Sequence, residues 1–67
     1  MTRTYYISAD GKTFEKVRYS SPEDRLNFHK VEALSKWIAG RKGFGKMSIR
    51  NVYTISEMRA NGYAMEG

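Results

Sequence analysis

Residues 40–46, GRKGFGK, gather three glycines, three cations and one phenylalanine. Glycines let backbone N–H groups turn toward an anion, and Arg41, Lys42 and Lys46 add formal charge. Phe44, set between two glycines, has the shape to stack on a base or enter an apolar site on a partner. The competing role is a plain connection, with cations at a helix C-terminus and Phe44 folded onto the core. GRKGFG is no nucleotide fingerprint, because such glycine loops run from a strand into a helix. Here the loop follows a helical segment and enters a strand-like one.

A second group comes from strand alternation. Tyr6, Phe14, Lys16, Arg18, Arg50 and Val52 fall on one face of a three-stranded sheet if each segment alternates regularly. Interleaved cations and aromatics suit phosphates together with bases or sugars. The ordinary alternative is a solvated sheet face whose Lys and Arg stems cover rings. Residues 41–50 hold four cations and no acid, and this local excess favours a polyanion.

Catalysis has little support. The chain has no cysteine and one histidine, His29, which helical spacing places among charged residues. There is no G-x-S-x-G, P-loop or zinc-ligand spacing. The seven acids are scattered, and Glu23 and Asp24 read as helix-start residues. The chain therefore reads as a non-enzyme without cofactor or metal.

The elements that must position these residues are few. Residues 21–40, SPEDRLNFHKVEALSKWIAG, predict a helix over 22–39. Ser21 is the expected N-cap, Pro22 the first helical residue, and Gly40 the left-handed terminator. Leu26, Val31, Ala33, Leu34, Trp37 and Ile38 form the expected apolar side; Arg25, His29, Glu32 and Lys36 form the polar one. Phe28 lies off the stripe. Residues 3–8 and 13–19 predict strands joined at Asp10-Gly11. Residues 47–55 predict a third strand with Met47, Ile49, Tyr53 and Ile55 facing the helix. The tail predicts a short helix capped by Ser56 and ended by Gly62, with an Asn61-Gly62 hairpin as the alternative.

The expected fold is α+β: β-β-α-β plus a short C-terminal helix, a three-stranded mainly antiparallel sheet with one long helix on one face. Sixty-seven residues make a single domain, 1–67, near the lower size limit, so monomer and homodimer both stay open. No run approaches the roughly 20 apolar residues of a membrane span. The first twelve residues lack the apolar core of a signal peptide. A soluble cytoplasmic protein is expected.

Twelve basic against seven acidic residues leave +5. The function expected from this distribution is a small DNA- or RNA-binding module. Its site residues would be Tyr6, Lys16, Arg18, Arg41, Lys42, Phe44, Lys46 and Arg50. The alternative is a small protein-binding regulator or inhibitor, of the type bacteriophages direct at host machinery. It would dock the same basic patch on an acidic protein surface, with Phe28, Phe44, Tyr63 and Met65 as anchors.

Overall fold

Asp10 organises the first turn. In the computed structural model, which describes residues 2–41 and 49–63, Asp10 Oδ1 accepts from the backbone N–H of Lys12 at 2.8 Å and of Thr13 at 2.7 Å. Ser8 Oγ accepts from the Gly11 N–H at 2.7 Å. Gly11 takes φ +78°, the left-handed region that suits glycine. This turn joins β1 (Thr2–Ser8) to β2 (Phe14–Ser20). The two pair antiparallel from Thr2↔Ser20 to Ser8↔Phe14.

The N–H groups of Thr13 and Lys12 hold the Asp10 carboxyl down at about 2. A depressed folded value means that the ionised group stabilises the fold above the ordinary carboxylate range. That contribution is lost as pH falls through about 2. Asp10→Asn is expected to lower the urea midpoint at neutral pH, and the gap from the parent protein should close toward pH 2. A gap of constant size across the titration would separate the turn from the charge of Asp10.

Helix α1 spans Leu26–Gly40, four residues later at its start than expected. Ser21 is buried and its hydroxyl accepts from the Glu23 N–H at 3.3 Å, closing a local turn instead of capping a helix. Asp24 is drawn to Arg3 of β1, and Glu23 pairs with Arg25. Neither acid therefore sits in the first helical turn, and the N-cap position, Arg25, makes no side-chain cap. At the other end Gly40 remains helical. It is Arg41 that closes the helix, its N–H donating to the Ile38 carbonyl at 3.0 Å.

The buried stripe of α1 is His29, Ala33, Leu34 and Trp37. His29 is 1% exposed, whereas Leu26 and Val31 are exposed. The helix is thus rotated from the expected orientation, with the 29-33-37 row turned to the sheet. His29 meets the Tyr19 ring at 6.0 Å between centroids.

The third strand is short. Ile49–Asn51 form a 3-10 turn, and β3 covers only Val52–Thr54. Val52 pairs with Ile7 and Tyr53 with Tyr6, both antiparallel. Val52 therefore shares the helix-facing side with Ile7, and Tyr53 points to the other side, the reverse of the expected alternation. The 3-10 turn breaks the period of two, so the parity of Ile49 does not carry through to residue 52. Ile49 itself is exposed. Met47 lies outside the described residues.

The sheet order is β2-β1-β3, and α1 packs on one side. The core comprises Tyr5, Ile7, Tyr19, Ala33, Leu34, Trp37 and Val52, with Val17 and Ile38 against it. Helix α2 (Ile55–Ala60) follows β3 directly. Thr54, not Ser56, caps it. Thr54 Oγ1 accepts from the Glu57 N–H, and Glu57 reaches back to the Thr54 N–H, both at 3.1 Å. The helix ends as expected at Gly62, whose φ is +71°. Gly62 N–H donates to Arg59 O and Tyr63 N–H to Met58 O, each at 3.1 Å, a Schellman closure. The architecture is the expected α+β arrangement. Among the described residues no helix is long and apolar enough to cross a membrane.

Candidate nucleic-acid interface

The pairing register places Thr4, Tyr6, Ser8, Phe14, Lys16, Arg18 and Tyr53 on the sheet side away from α1. Tyr6, Phe14, Lys16 and Arg18 are therefore brought together as the alternation expects. Val52 is not, because it lies in the core on the opposite side. Arg50 belongs to the 3-10 turn and is exposed there. Lys42, Phe44 and Lys46 lie outside the described residues, as does Met65.

This face is not open along its whole width. Helix α2 packs against β1 and β3, and Met58 is fully buried. The Schellman turn returns Tyr63 to the sheet. Its ring lies 4.8 Å from Phe14 and 5.7 Å from Tyr53, and Phe14 and Tyr53 are 5.7 Å apart edge-on. Tyr6 is only 4% exposed, so it supports the surface and offers no ring face for stacking. The accessible aromatic group is the Phe14–Tyr53–Tyr63 trio. Burial pushes the Tyr53 hydroxyl above its usual range, and the neighbouring Tyr63 adds to the rise. Alternation alone puts Tyr53 on the wrong face, since it pairs with Tyr6. Tyr63 had a usable signal in Asn61-Gly62, which reverses the chain immediately before it.

Beside the trio, β2 forms one edge of the sheet and carries Lys16 and Arg18 outward, both exposed. Lys12 is exposed on the turn. The described acids are all occupied elsewhere. Asp10 binds its own turn, Glu23 pairs with Arg25, and Asp24 pairs with Arg3. Glu32 accepts from the Tyr19 hydroxyl, Glu57 pairs with Lys30, and Glu15 pairs with Arg41. The Tyr19 hydroxyl is held above its usual range, first by that bond to Glu32. Among the described residues no acid neutralises Lys12, Lys16 or Arg18.

Arg41 behaves differently from the expected free loop cation. Its guanidinium pairs with Glu15 and lies over the Trp37 ring, 5.8 Å from the centroid. The Trp37 indole N–H donates to the same carboxylate at 2.7 Å. Arg41 and then Trp37 hold the Glu15 carboxyl below its ordinary range by binding its charged form. Around this constellation lies a groove of about 610 Å3, lined by Ile7, Phe14, Glu15, Lys16, Trp37, Arg41 and residues of the hairpin turn. The groove adjoins the aromatic trio through Phe14 and the basic strand through Lys16. Neither Glu15 nor Trp37 stood out in the sequence, since each reads there as an ordinary strand or core residue. Among the described residues no three of His, Cys, Asp and Glu gather as a metal site.

No family model, no curated protein and no solved structure matches this chain.

Proposed function

We propose that this chain is a small single-stranded nucleic-acid-binding module that works through the outer side of β2. Lys12, Lys16 and Arg18 take the phosphates, and the Phe14–Tyr53–Tyr63 trio supplies ring surface to bases. One observation carries the reading. Every described acid is engaged within the fold, while no acid among the described residues pairs with these three cations, which lie on one strand and turn next to part-exposed aromatic rings. A duplex groove reader would need a projecting helix or ribbon, whereas this surface is a strand edge beside rings.

The test is a fluorescence-anisotropy titration of labelled single strands over a range of salt. Each phosphate neutralised contributes about 0.7 to the log–log salt slope for a single strand. The double variant Lys16→Ala/Arg18→Ala is expected to lower the slope by about 1.4. Lys36→Ala serves as the control, because that amine sits over the Tyr19 ring on α1. An unchanged slope in the double variant removes β2 from the interface. Binding that is weak and equal for every polyanion would instead favour the basic patch as a dock for an acidic protein surface.

A further inference from the structure

Helix α2 carries a further cation, Arg59, which is exposed and meets no acid among the described residues. Helical geometry decides which way it faces. Met58 is fully buried, so its side chain points into the sheet. Successive helical residues lie about 100° apart around the axis, so Glu57 and Arg59 project from opposite flanks. Glu57 pairs with Lys30 of α1, and both line a cleft with Asn27 and Ile49 at the outer edge of β3. Arg59 therefore lies on the flank turned toward β1 and β2. Ile55, one turn before Arg59, shares that flank and is 36% exposed. Helix α2 packs on β1 and β3, so the outer side of β2 lies beside the helix and not beneath it. The result is a trough on the outer side of the sheet. One wall is Ile55 and Arg59, the other is Lys16 and Arg18 of β2, and the aromatic trio stands at the hairpin end.

We propose that Arg59 is a phosphate contact and that the single strand lies along this trough, between α2 and β2. The inference rests on the nucleic-acid reading above and adds a binding residue and a path to it. Cations on facing walls hold one backbone from both sides, which a basic strand alone cannot do. Arg59 offers a planar guanidinium suited to phosphate oxygens, and the neighbouring Ile55 gives the sugars an apolar surface. The bases then point along the trough toward Tyr63, the most exposed ring of the trio. The ordinary role of an arginine here is to complement the negative end of α2. That role alters helix stability and leaves the salt dependence of binding unchanged, so the two separate by experiment.

The experiment titrates a labelled eight-residue thymidine strand by anisotropy over a range of salt. Arg59→Gln is expected to lower the log–log slope by about 0.7, the share of one single-strand phosphate, and Arg59→Lys to restore it. Arg25→Gln is the charge control, because that guanidinium already pairs with Glu23 and lies over the Phe28 ring on α1. Its slope should match that of the parent protein. The chain has no cysteine, so a dye on Arg59→Cys reports from one place only. Its emission should change when the strand binds, whereas the same dye on Ser35→Cys, exposed on α1, should stay silent. An unchanged slope in Arg59→Gln, an equal fall in Arg25→Gln, or a silent dye at position 59 would overturn the inference. If Lys16→Ala/Arg18→Ala still lowers the slope in that case, the reading of β2 stands without Arg59. If the parent protein does not bind the strand at low salt, the nucleic-acid reading itself fails and this inference with it.

Discussion

Trp37→Ala is expected to remove a third or more of the stability of this domain at 25 °C. The indole is 8% exposed and belongs to the single described core cluster. Truncating a buried tryptophan to alanine costs about 3–5 kcal/mol through lost transfer energy and the cavity left behind. A chain of 67 residues has a total stability of about 3–10 kcal/mol on ordinary per-residue values. The substitution therefore removes a large share of it. There is no disulfide to limit the loss, because the chain has no cysteine. Two further contacts go with the ring. Glu15 loses the indole N–H, and Arg41 loses the ring beneath its guanidinium. Urea denaturation followed by far-UV circular dichroism should show the midpoint cut by about a third or more, or no cooperative transition. Trp37→Phe separates the contributions. It keeps most of the packing and loses the hydrogen bond, so a cost nearer 1–2 kcal/mol is expected. A loss below about 1 kcal/mol for the alanine variant would mean that α1 does not depend on this anchor.

The part of this design legible in the sequence is the part decided locally. Asp10-Gly11 specifies a turn through its own hydrogen bonds, and the strands on either side then pair in the register the turn sets. Gly62 ends α2 for the same kind of reason. The errors come where a long-range partner outweighs a local preference. Ser21, Pro22 and Asp24 make a good helix start on paper. Arg3, distant in sequence, takes Asp24, and Ser21 turns inward, so the helix begins at Leu26. Thr54 takes the cap from Ser56 because Glu57 stands three residues after it and completes the reciprocal pair.

The candidate site divides along the same line. Alternation along β2 correctly gathers Phe14, Lys16 and Arg18, since a regular strand has one period. It fails at Val52 and Tyr53, because three residues of 3-10 turn shift the phase before β3 begins. The free or paired state of a cation was not legible at all. Arg41 and Lys16 are the same kind of residue in the sequence. Only the fold brings Glu15 and Trp37 to the first and leaves the second without an acid among the described residues. Charge composition counts cations, while the effective basic surface depends on which acids the fold has already used.

His29 shows the same effect with the opposite sign for stability. The sequence places it among charged residues, yet it is 1% exposed, and neither ring nitrogen has a hydrogen-bond partner among the described residues. Its neighbours are aromatic, with Tyr19 at 6.0 Å and Phe28 at 5.9 Å between ring centroids. Other unsatisfied buried atoms, Tyr5 Oη and Arg3 Nε, belong to the same side of the sheet, where Arg3 pairs across from Tyr19. Burial raises the Tyr5 hydroxyl above its usual range against the opposing charge of Arg3. A buried polar group without a partner costs about 1–3 kcal/mol, and an apolar replacement of similar shape relieves that cost. Leucine is of similar size and a better helix former. His29→Leu is therefore expected to stabilise the domain by about 1–2 kcal/mol, read as a higher urea midpoint with an unchanged slope. The Tyr19 ring and its bond to Glu32 set the limit on the gain, because a branched side chain must fit beneath them without displacing either. A lower midpoint would show that the imidazole does bond within the core, and that the polar pocket around Tyr19 holds α1 on the sheet.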